Sequence, residues 1–145
     1  MRPIYETEED RTKEQCVFDA IAKKFSCQCI VTPKLSVADR LFCTRNGELV
    51  AIAELKIRTN PYKKYPTYML SAGKHAALTS IGKALKVPAL LIVKFSDSLQ
   101  VTTLKDTYLK EVGGRYDRGD SKDVEQCIYI PIDQFKTIEV KDNDY

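Results

Sequence analysis

The chain has 145 residues, 43% of them hydrophobic, and a formal net charge of +3. This length predicts one domain with its own core, and no apolar run predicts a membrane span or a signal peptide. The five cysteines are odd in number and form no C-x-x-C pair, which favours a reduced, cytoplasmic protein, and the single His75 excludes sites that need two histidines.

The first predicted element is a helix from Thr7 to Phe25, after a short arm. Thr7 is a suitable N-cap, and the next three residues are acidic, which the helix dipole favours. The predicted apolar stripe consists of Val17, Phe18, Ile21 and Phe25. Glu14 falls on this stripe, where a carboxylate is costly unless it is paired or near a metal. Glu14 therefore belongs either to a site or to the solvent-exposed edge of the stripe.

Cys27 to Pro33 is predicted to form the first strand, and the stretch from Ser36 to Arg58 a β-hairpin. Asn46-Gly47 fits a type I′ turn, since both residues tolerate the positive φ that this turn requires. A two-residue loop then pairs Arg45 with Glu48, Cys43 with Val50, Leu41 with Ile52, and Asp39 with Glu54.

Two acids therefore face each other across the predicted ladder, and like charges so placed are destabilising. A Mg²⁺ or Mn²⁺ ion between Asp39 and Glu54 would remove the conflict, because hard cations prefer carboxylate oxygens. Lys56 follows Glu54 by two residues and lies on the same face. This arrangement suits metal-assisted phosphodiester chemistry.

The pattern of Asp39 followed by Glu54-Leu55-Lys56 resembles the signature of the PD-(D/E)XK nuclease superfamily. That group includes restriction enzymes, phage exonucleases and Holliday-junction resolvases. Ala38 stands where the family pattern has proline. The resemblance covers residues 14–95. It implies an α/β fold with a restriction-endonuclease-like core, in which helices flank a central mixed β-sheet within a single domain.

The resemblance also implies a magnesium-dependent nuclease, with Mn²⁺ able to substitute. Its metal ligands would be Asp39, Glu54 and the backbone carbonyl of Leu55, with Glu14 binding directly or through water. Lys56 would act on the attacking water or on the charge that develops at phosphorus. The implied catalytic residues are therefore Asp39, Glu54, Lys56 and Glu14.

A basic segment runs from Leu55 to Ser96, with eight lysines and arginines and no acidic residue. Such a concentration of charge beside an acidic site suits a polyanionic substrate. The loop at residues 59–69 alternates lysines with tyrosines, which suits phosphate contacts and base stacking, although the tyrosines could equally anchor the loop. The predicted DNA contacts are Lys74, Arg58, Lys63, Lys64 and Tyr65.

Ser71 to Leu85 is predicted to form the second helix, with Ser71 as N-cap. Its core stripe would comprise Leu78, Ile81 and Leu85, helped by Ala77. Lys74 falls on this stripe, where it either holds a phosphate or extends its ammonium group to solvent. His75 is offset from the stripe and is expected at the surface.

The remaining pattern is rich in strands. Ala89 to Phe95 predicts a buried strand parallel to its predecessor, and Leu99 to Leu104 an amphipathic strand after a turn. Residues 106–125 lose the pattern and suggest a mobile basic loop containing Arg115 and Arg118. A strand at residues 127–131 and a helical turn at 133–136 precede an acidic end. The core would span about residues 7–105, with 106–145 as a peripheral β-rich tail.

Three interpretations stay open. The first is a nuclease acting on DNA, with structure-directed cutting of branched, recombination or repair DNA favoured by the small size, as in phage-type resolvases. The second is a non-catalytic nucleic-acid-binding or interaction module of the same fold. The third treats Asp39, Glu54 and Lys56 as a buried ion cluster, which is usually costly. A choice of RNA over DNA and a homodimer are not excluded by the sequence.

Overall fold

A computed structural model describes residues 8–31, 38–114 and 124–140. The elements in chain order are helix α1 (Glu8–Lys24), strands β1 (Gln28–Val31), β2 (Arg40–Cys43), β3 (Leu49–Ile57) and β4 (Thr67–Ser71), helix α2 (Ala72–Leu85), strands β5 (Ala89–Lys94), β6 (Leu99–Thr103), β7 (Leu109–Gly114) and β8 (Val124–Pro131), a 3₁₀ helix (Ile132–Gln134) and strand β9 (Lys136–Thr137). The predicted arm, the residues Arg115 and Arg118, and the acidic end fall outside the described residues.

The main sheet has six strands in the order β1-β2-β3-β5-β6-β9. β3 and β5 are parallel, because α2 carries the chain back across the sheet between them, and the other neighbours are antiparallel. A second, antiparallel sheet has the order β4-β8-β7. The predicted α/β fold with a mixed central sheet and flanking helices is confirmed.

Strand β3 separates two hydrophobic cores. Ala53 and Leu55 point to α1, where they pack with Phe18. Ile52 points to the other face, where it packs with Leu78 of α2 and with the second sheet. Alternate residues of β3 therefore reach different layers, and both layers exclude water from this strand.

The hairpin turn differs from the predicted type I′ turn. Gly47 has a positive φ of 86°, but Asn46 does not share this conformation. The Thr44 N–H donates to the Glu48 carbonyl at 2.8 Å, and the Gly47 N–H donates to the Thr44 carbonyl at 2.9 Å. The loop therefore has three residues, Arg45 to Gly47, and its last residue is a left-handed glycine. The predicted pairing of Arg45 with Glu48 is wrong.

The extra loop residue shifts the register next to the turn. Cys43 lies opposite Leu49 rather than the predicted Val50. A β-bulge or irregularity between Phe42 and Cys43 then restores the predicted register, so that Leu41 lies opposite Ile52. The two deviations cancel before the ladder reaches the acidic residues.

The ends of both helices also depart from prediction. Phe25 and Leu85 were expected on the apolar stripes, but they are 59% and 48% exposed. Phe25 follows the last residue of α1, and Leu85 is the last residue of α2. His75, expected at the surface, is only 4% exposed. Its Nε2 lies 2.6 Å from the Lys105 carbonyl oxygen, and its ring packs edge-on against Tyr108.

The region after residue 105 is not a peripheral tail. Strand β7 forms within the stretch predicted as a loop, and β8 contributes the fully buried Ile128 and Ile130 to the core. Phe135 joins the same core. Strand β4 likewise occupies the end of the predicted loop at 59–69, since Thr67 to Ser71 pair with β8. Among the described residues, no helix is long and apolar enough to cross a membrane.

Candidate active site

Asp39 stands immediately before β2, held against the middle of β3. Its N–H donates to the Ala53 carbonyl at 2.9 Å, and its Oδ2 accepts from the Leu55 N–H at 2.8 Å. Arg40 lies opposite Ala53, so the same register brings Asp39 beside Glu54. The backbone of β3 therefore fixes the carboxylate of Asp39 on the edge that faces β2.

The backbone carbonyl of Leu55 belongs to the same edge. Even-numbered residues around it bond to β5 or its flanks, as Ile52 N–H does to Pro88 and Arg58 N–H to Lys94. The Leu55 N–H instead points to Asp39. Since the N–H and C=O of one strand residue point to the same side, the Leu55 carbonyl also lies towards Asp39.

Glu54 is the buried centre of the site, with 3% of its surface exposed. Its Oε1 lies 3.4 Å from Nζ of Lys56 and its Oε2 lies 3.2 Å from Nζ of Lys74. Lys56 comes from the same face of the same strand. Lys74 comes from the first turn of α2, where its backbone N–H donates to the capping Ser71 Oγ at 3.3 Å.

The electrostatics of Glu54 favour neutralisation by something beyond the two lysines. Burial, and then the charge of Asp39, raise the pKa of Glu54 from 4.5 to about 7. Lys56 and Lys74 lower the pKa of the same group, but they do not cancel the two larger effects. A proton or a cation would relieve the repulsion between the two carboxylates.

The donor set fits a magnesium ion. The buried Glu54 Oε2 has no hydrogen bond of good geometry, although the Lys74 ammonium is close. Two carboxylates and a carbonyl are hard oxygen donors, and Mg²⁺ commonly uses one or two protein carboxylates and keeps several waters. Within residues 8–31, 38–114 and 124–140, no three His, Cys, Asp or Glu side chains are grouped to hold a metal. The fit therefore rests on Asp39, Glu54 and the Leu55 carbonyl.

Glu14 is the predicted site residue that the structure does not bring into this group. Helix α1 covers the face of β3 that carries Ala53 and Leu55, whereas Glu54 points to the face covered by α2. Glu14 is half-buried on α1. Among the described residues, no group of three His, Cys, Asp or Glu side chains that could hold a metal includes Glu14, and its role as a further ligand stays a prediction.

Tyr68 is a neighbour of the site that the sequence did not single out. It is 6% exposed, and its hydroxyl has no hydrogen-bond partner of good geometry among the described residues. Burial, with a smaller contribution from Glu54, raises the pKa of Tyr68 to about 12, while Arg58 opposes the shift. The alternation from Thr67 to Ser71, with Tyr68 and Leu70 inward, was the available signal for this strand.

The other predicted DNA contacts lie in the segment that follows β3. The Arg58 guanidinium lies over the Tyr68 ring, with 5.3 Å between its Cζ and the ring centroid. Nζ of Lys63 is 5.9 Å from the Tyr62 ring centroid, and Nζ of Lys64 is 5.5 Å from that of Tyr65. The loop thus interleaves cations with aromatic rings.

Comparison with known protein families gave one finding that bears on this geometry. The family model described as "Phage putative PDDEXK endonuclease" matches residues 1–138. The match therefore includes the hairpin, both helices and all of the strands described above. No curated protein matches the chain.

Proposed function

The chain belongs to the phage PDDEXK endonuclease family, and from this premise we propose that it is a metal-dependent deoxyribonuclease. The observation that carries the proposal is the buried Glu54 carboxylate, which lies between Lys56 and Lys74 and beside Asp39. Burial, and then the charge of Asp39, keep the pKa of Glu54 raised to about 7 although two lysines lie against its carboxylate. The two ammonium groups therefore do not fully offset the cost of this buried charge, as the cations of a purely structural ion cluster would.

The proposed metal ligands are Asp39, Glu54 and the backbone carbonyl of Leu55. Mg²⁺ held there, or Mn²⁺ in its place, would polarise a phosphodiester and lower the pKa of a coordinated water. Asp39 is fixed by the Leu55 N–H and Glu54 by its position inside the sheet, so the oxygens are presented by rigid elements.

Lys56 and Lys74 would have different roles in the reaction. Lys56, on the same strand as Glu54, would orient the attacking water or stabilise the negative charge that develops on the phosphoryl oxygens. Lys74, at the N-terminal end of α2, would hold a scissile or neighbouring phosphate, and that helix end adds its own attraction for an anion. Both ammonium groups lie within 3.4 Å of Glu54, so either one would be close to a phosphate bound at a metal on that carboxylate.

The proposed substrate is branched, flapped or otherwise irregular DNA. The described part of the chain is taken up by two sheets and the hydrophobic cores between them and the helices, and several basic groups lie on the loop that follows β3. Such an arrangement offers phosphate contacts but few groups for reading a base sequence. The five free cysteines support work in a reducing, cytoplasmic setting.

A cleavage assay over a panel of DNA substrates tests the proposal. Linear, nicked, flapped, four-way and single-stranded DNAs would be incubated with wild type, Asp39→Asn and Lys83→Ala in Mg²⁺ or EDTA. Lys83 is the control because its side chain is 66% exposed and bridges Asp106 instead of Glu54. The proposal would be supported if wild type and Lys83→Ala cleave DNA in Mg²⁺ but not in EDTA, and if Asp39→Asn cleaves in neither. Equal cleavage by Asp39→Asn would contradict it.

A further inference from the structure

A concave pocket beside Arg58 lies outside the group of residues described as the proposed active site. It has a volume of about 360 Å³, which is within the usual range for small-ligand pockets. Its walls are formed by the loop after β3, by β4 and by β8, and none of the described residues that line it is acidic. The lining includes Arg58, Tyr62, Tyr65, Tyr68, Met69 and Tyr129.

The frame of this pocket is fixed by hydrogen bonds. The Tyr62 N–H donates to Asp97 Oδ1 at 2.9 Å, and the Tyr62 hydroxyl donates to the Ile132 carbonyl at 2.8 Å. The Ser96 N–H donates to the Asn60 carbonyl at 3.0 Å. These bonds tie the loop to the turn after β5 and to the 3₁₀ helix, so the frame of the pocket is preorganised before a ligand binds.

The chemistry of the lining suits an aromatic ring that is attached to a phosphate. Tyr65 is 55% exposed, and the Lys64 ammonium lies 5.5 Å from its ring centroid. Met69, on strand β4, is also exposed, at 46%, and adds a polarisable side chain to the lining of the pocket. Stacking faces next to cations are the features with which proteins bind unpaired nucleotides.

The pocket lies near the proposed active site. Arg58 and Tyr68 line it, and Tyr68 is close enough to Glu54 for the carboxylate to affect the pKa of its hydroxyl. Arg58 follows Lys56 by two residues on the chain. A DNA strand whose phosphate is held by Lys56 and Lys74 would direct its adjacent nucleotide towards Arg58, which lines the pocket.

Resting on the function proposed above, we propose that this pocket binds one unpaired nucleobase next to the scissile phosphate. The base stacks on Tyr65, while Arg58 and Lys64 hold the flanking phosphates. The pocket thereby gives the enzyme a preference for DNA with an unpaired nucleotide at the cleavage point. Fully paired duplex offers no base to the pocket and binds through phosphate contacts alone.

The test compares two DNAs bound by the Asp39→Asn protein, which lacks a ligand of the proposed metal site. One DNA is a duplex, and the other is the same duplex with a single unpaired 2-aminopurine placed at successive positions. Dissociation constants come from fluorescence anisotropy, and stacking is read from 2-aminopurine quenching. One stacked base is worth ~1–3 kcal/mol, so the DNA with the unpaired base should bind roughly 5- to 150-fold tighter at one position.

Three second-site variants sharpen this comparison. Tyr65→Ala should bring the ratio of the two dissociation constants close to one and abolish the quenching. Tyr65→Phe keeps the ring and should retain both signals. Phe25→Ala is the matched control, since Phe25 is 59% exposed and lines a different cavity, against α1.

The outcomes separate this inference from the proposed function. If wild type cleaves DNA but the ratio is one, or is unchanged by Tyr65→Ala, the base-binding assignment is overturned and the nuclease stands. If sedimentation shows that Tyr65→Ala dissociates a dimer, the pocket is an interface between copies and the assignment again fails. If wild type neither binds nor cuts any DNA, both proposals fall.

Discussion

The two faces of strand β3 place neighbouring residues in opposite kinds of environment. On the face towards α2, Glu54 is buried with two lysines and beside a second acid, and its pKa is raised to about 7. On the face towards α1, Ala53 and Leu55 pack in an apolar core.

On the α1 face, the positive charge of Arg40 has partners close by. The Arg40 guanidinium stacks over the Phe18 ring with 4.7 Å between Cζ and the centroid, and it donates to Gln15 Oε1 at 3.2 Å. The same face also borders a cavity of about 610 Å³ lined mainly by apolar residues. The two faces differ because at Glu54 burial, and then the charge of the half-buried Asp39, favour a bound proton or cation even in the presence of two lysines.

The largest expected effect is on the chemistry of the α2 face. Lys56→Ala removes the ammonium that lies 3.4 Å from Glu54 and should lower kcat for DNA cleavage by about 10²- to 10³-fold, as loss of a charge-stabilising donor does. DNA affinity in EDTA should change little. Lys83→Ala, at the far end of α2, is the control and should keep full activity. Equal kcat values for the two variants would show that Lys56 has no catalytic role.

The next effect concerns stability and pH. The folded-state pKa of Glu54 lies above its ordinary value of 4.5, so folding favours the protonated form. The contribution of the Glu54 carboxyl to the free energy of unfolding is therefore fully present below about pH 4.5 and is lost as the pH rises through about 7. Relative to Glu54→Gln, metal-free wild type should lose about 2 kcal/mol of unfolding free energy between about pH 5.5 and pH 8.

Urea denaturation in EDTA at the two pH values measures this difference. Glu14→Gln is the matched control, since it removes an acid from the α1 side and should preserve the pH dependence of wild type. A wild-type curve parallel to that of Glu54→Gln would mean that the two lysines fully compensate the buried charge.

A smaller effect is expected for Lys74. Lys74→Ala should raise KM for DNA roughly tenfold, the size of one charged hydrogen bond to phosphate, and should affect kcat less. Because Lys74 also lowers the pKa of Glu54, the same variant should move the acid limb of the pH–rate profile to higher pH. A normal profile with normal KM would assign Lys74 a purely structural role.

The smallest effect is expected on the α1 face. Glu14→Gln should change kcat/KM for DNA cleavage by less than about threefold, because Glu14 is not grouped with Asp39 and Glu54. Steady-state cleavage assays in Mg²⁺ measure this ratio. A loss comparable to that of Lys56→Ala would show that Glu14 takes part in cleavage. Helix α1 would then contribute to the site together with the α2 face.

The sequence predicted the α2 face of the site better than its surroundings. The alternation of strand residues and the off-pattern Lys74 were enough to place that lysine near Glu54, since both signals are local. The register at Asp39 was also predicted, although the turn was not. The glycine-ended loop and the irregularity at Cys43 offset each other, and neither has a clear local signature.

The residues that were placed wrongly depend on contacts distant in sequence. His75 is buried because Lys105 and Tyr108 come from the loop that precedes β7. Tyr68 became part of a strand because β8 pairs with it from more than fifty residues away. Glu14 shows the same limit, because its stripe indicates that it faces the sheet but not which face of the sheet α1 covers.

Manganese binding tests the central claim most directly, since it requires neither DNA nor turnover. Isothermal titration of Mn²⁺ at about pH 8, where Glu54 is deprotonated, would compare wild type with Asp39→Asn, Glu54→Gln and Glu14→Gln. We expect one Mn²⁺ site in wild type and in Glu14→Gln, and at least tenfold weaker binding when either Asp39 or Glu54 is replaced. Unchanged Mn²⁺ affinity in Asp39→Asn and Glu54→Gln would contradict the proposed metal site.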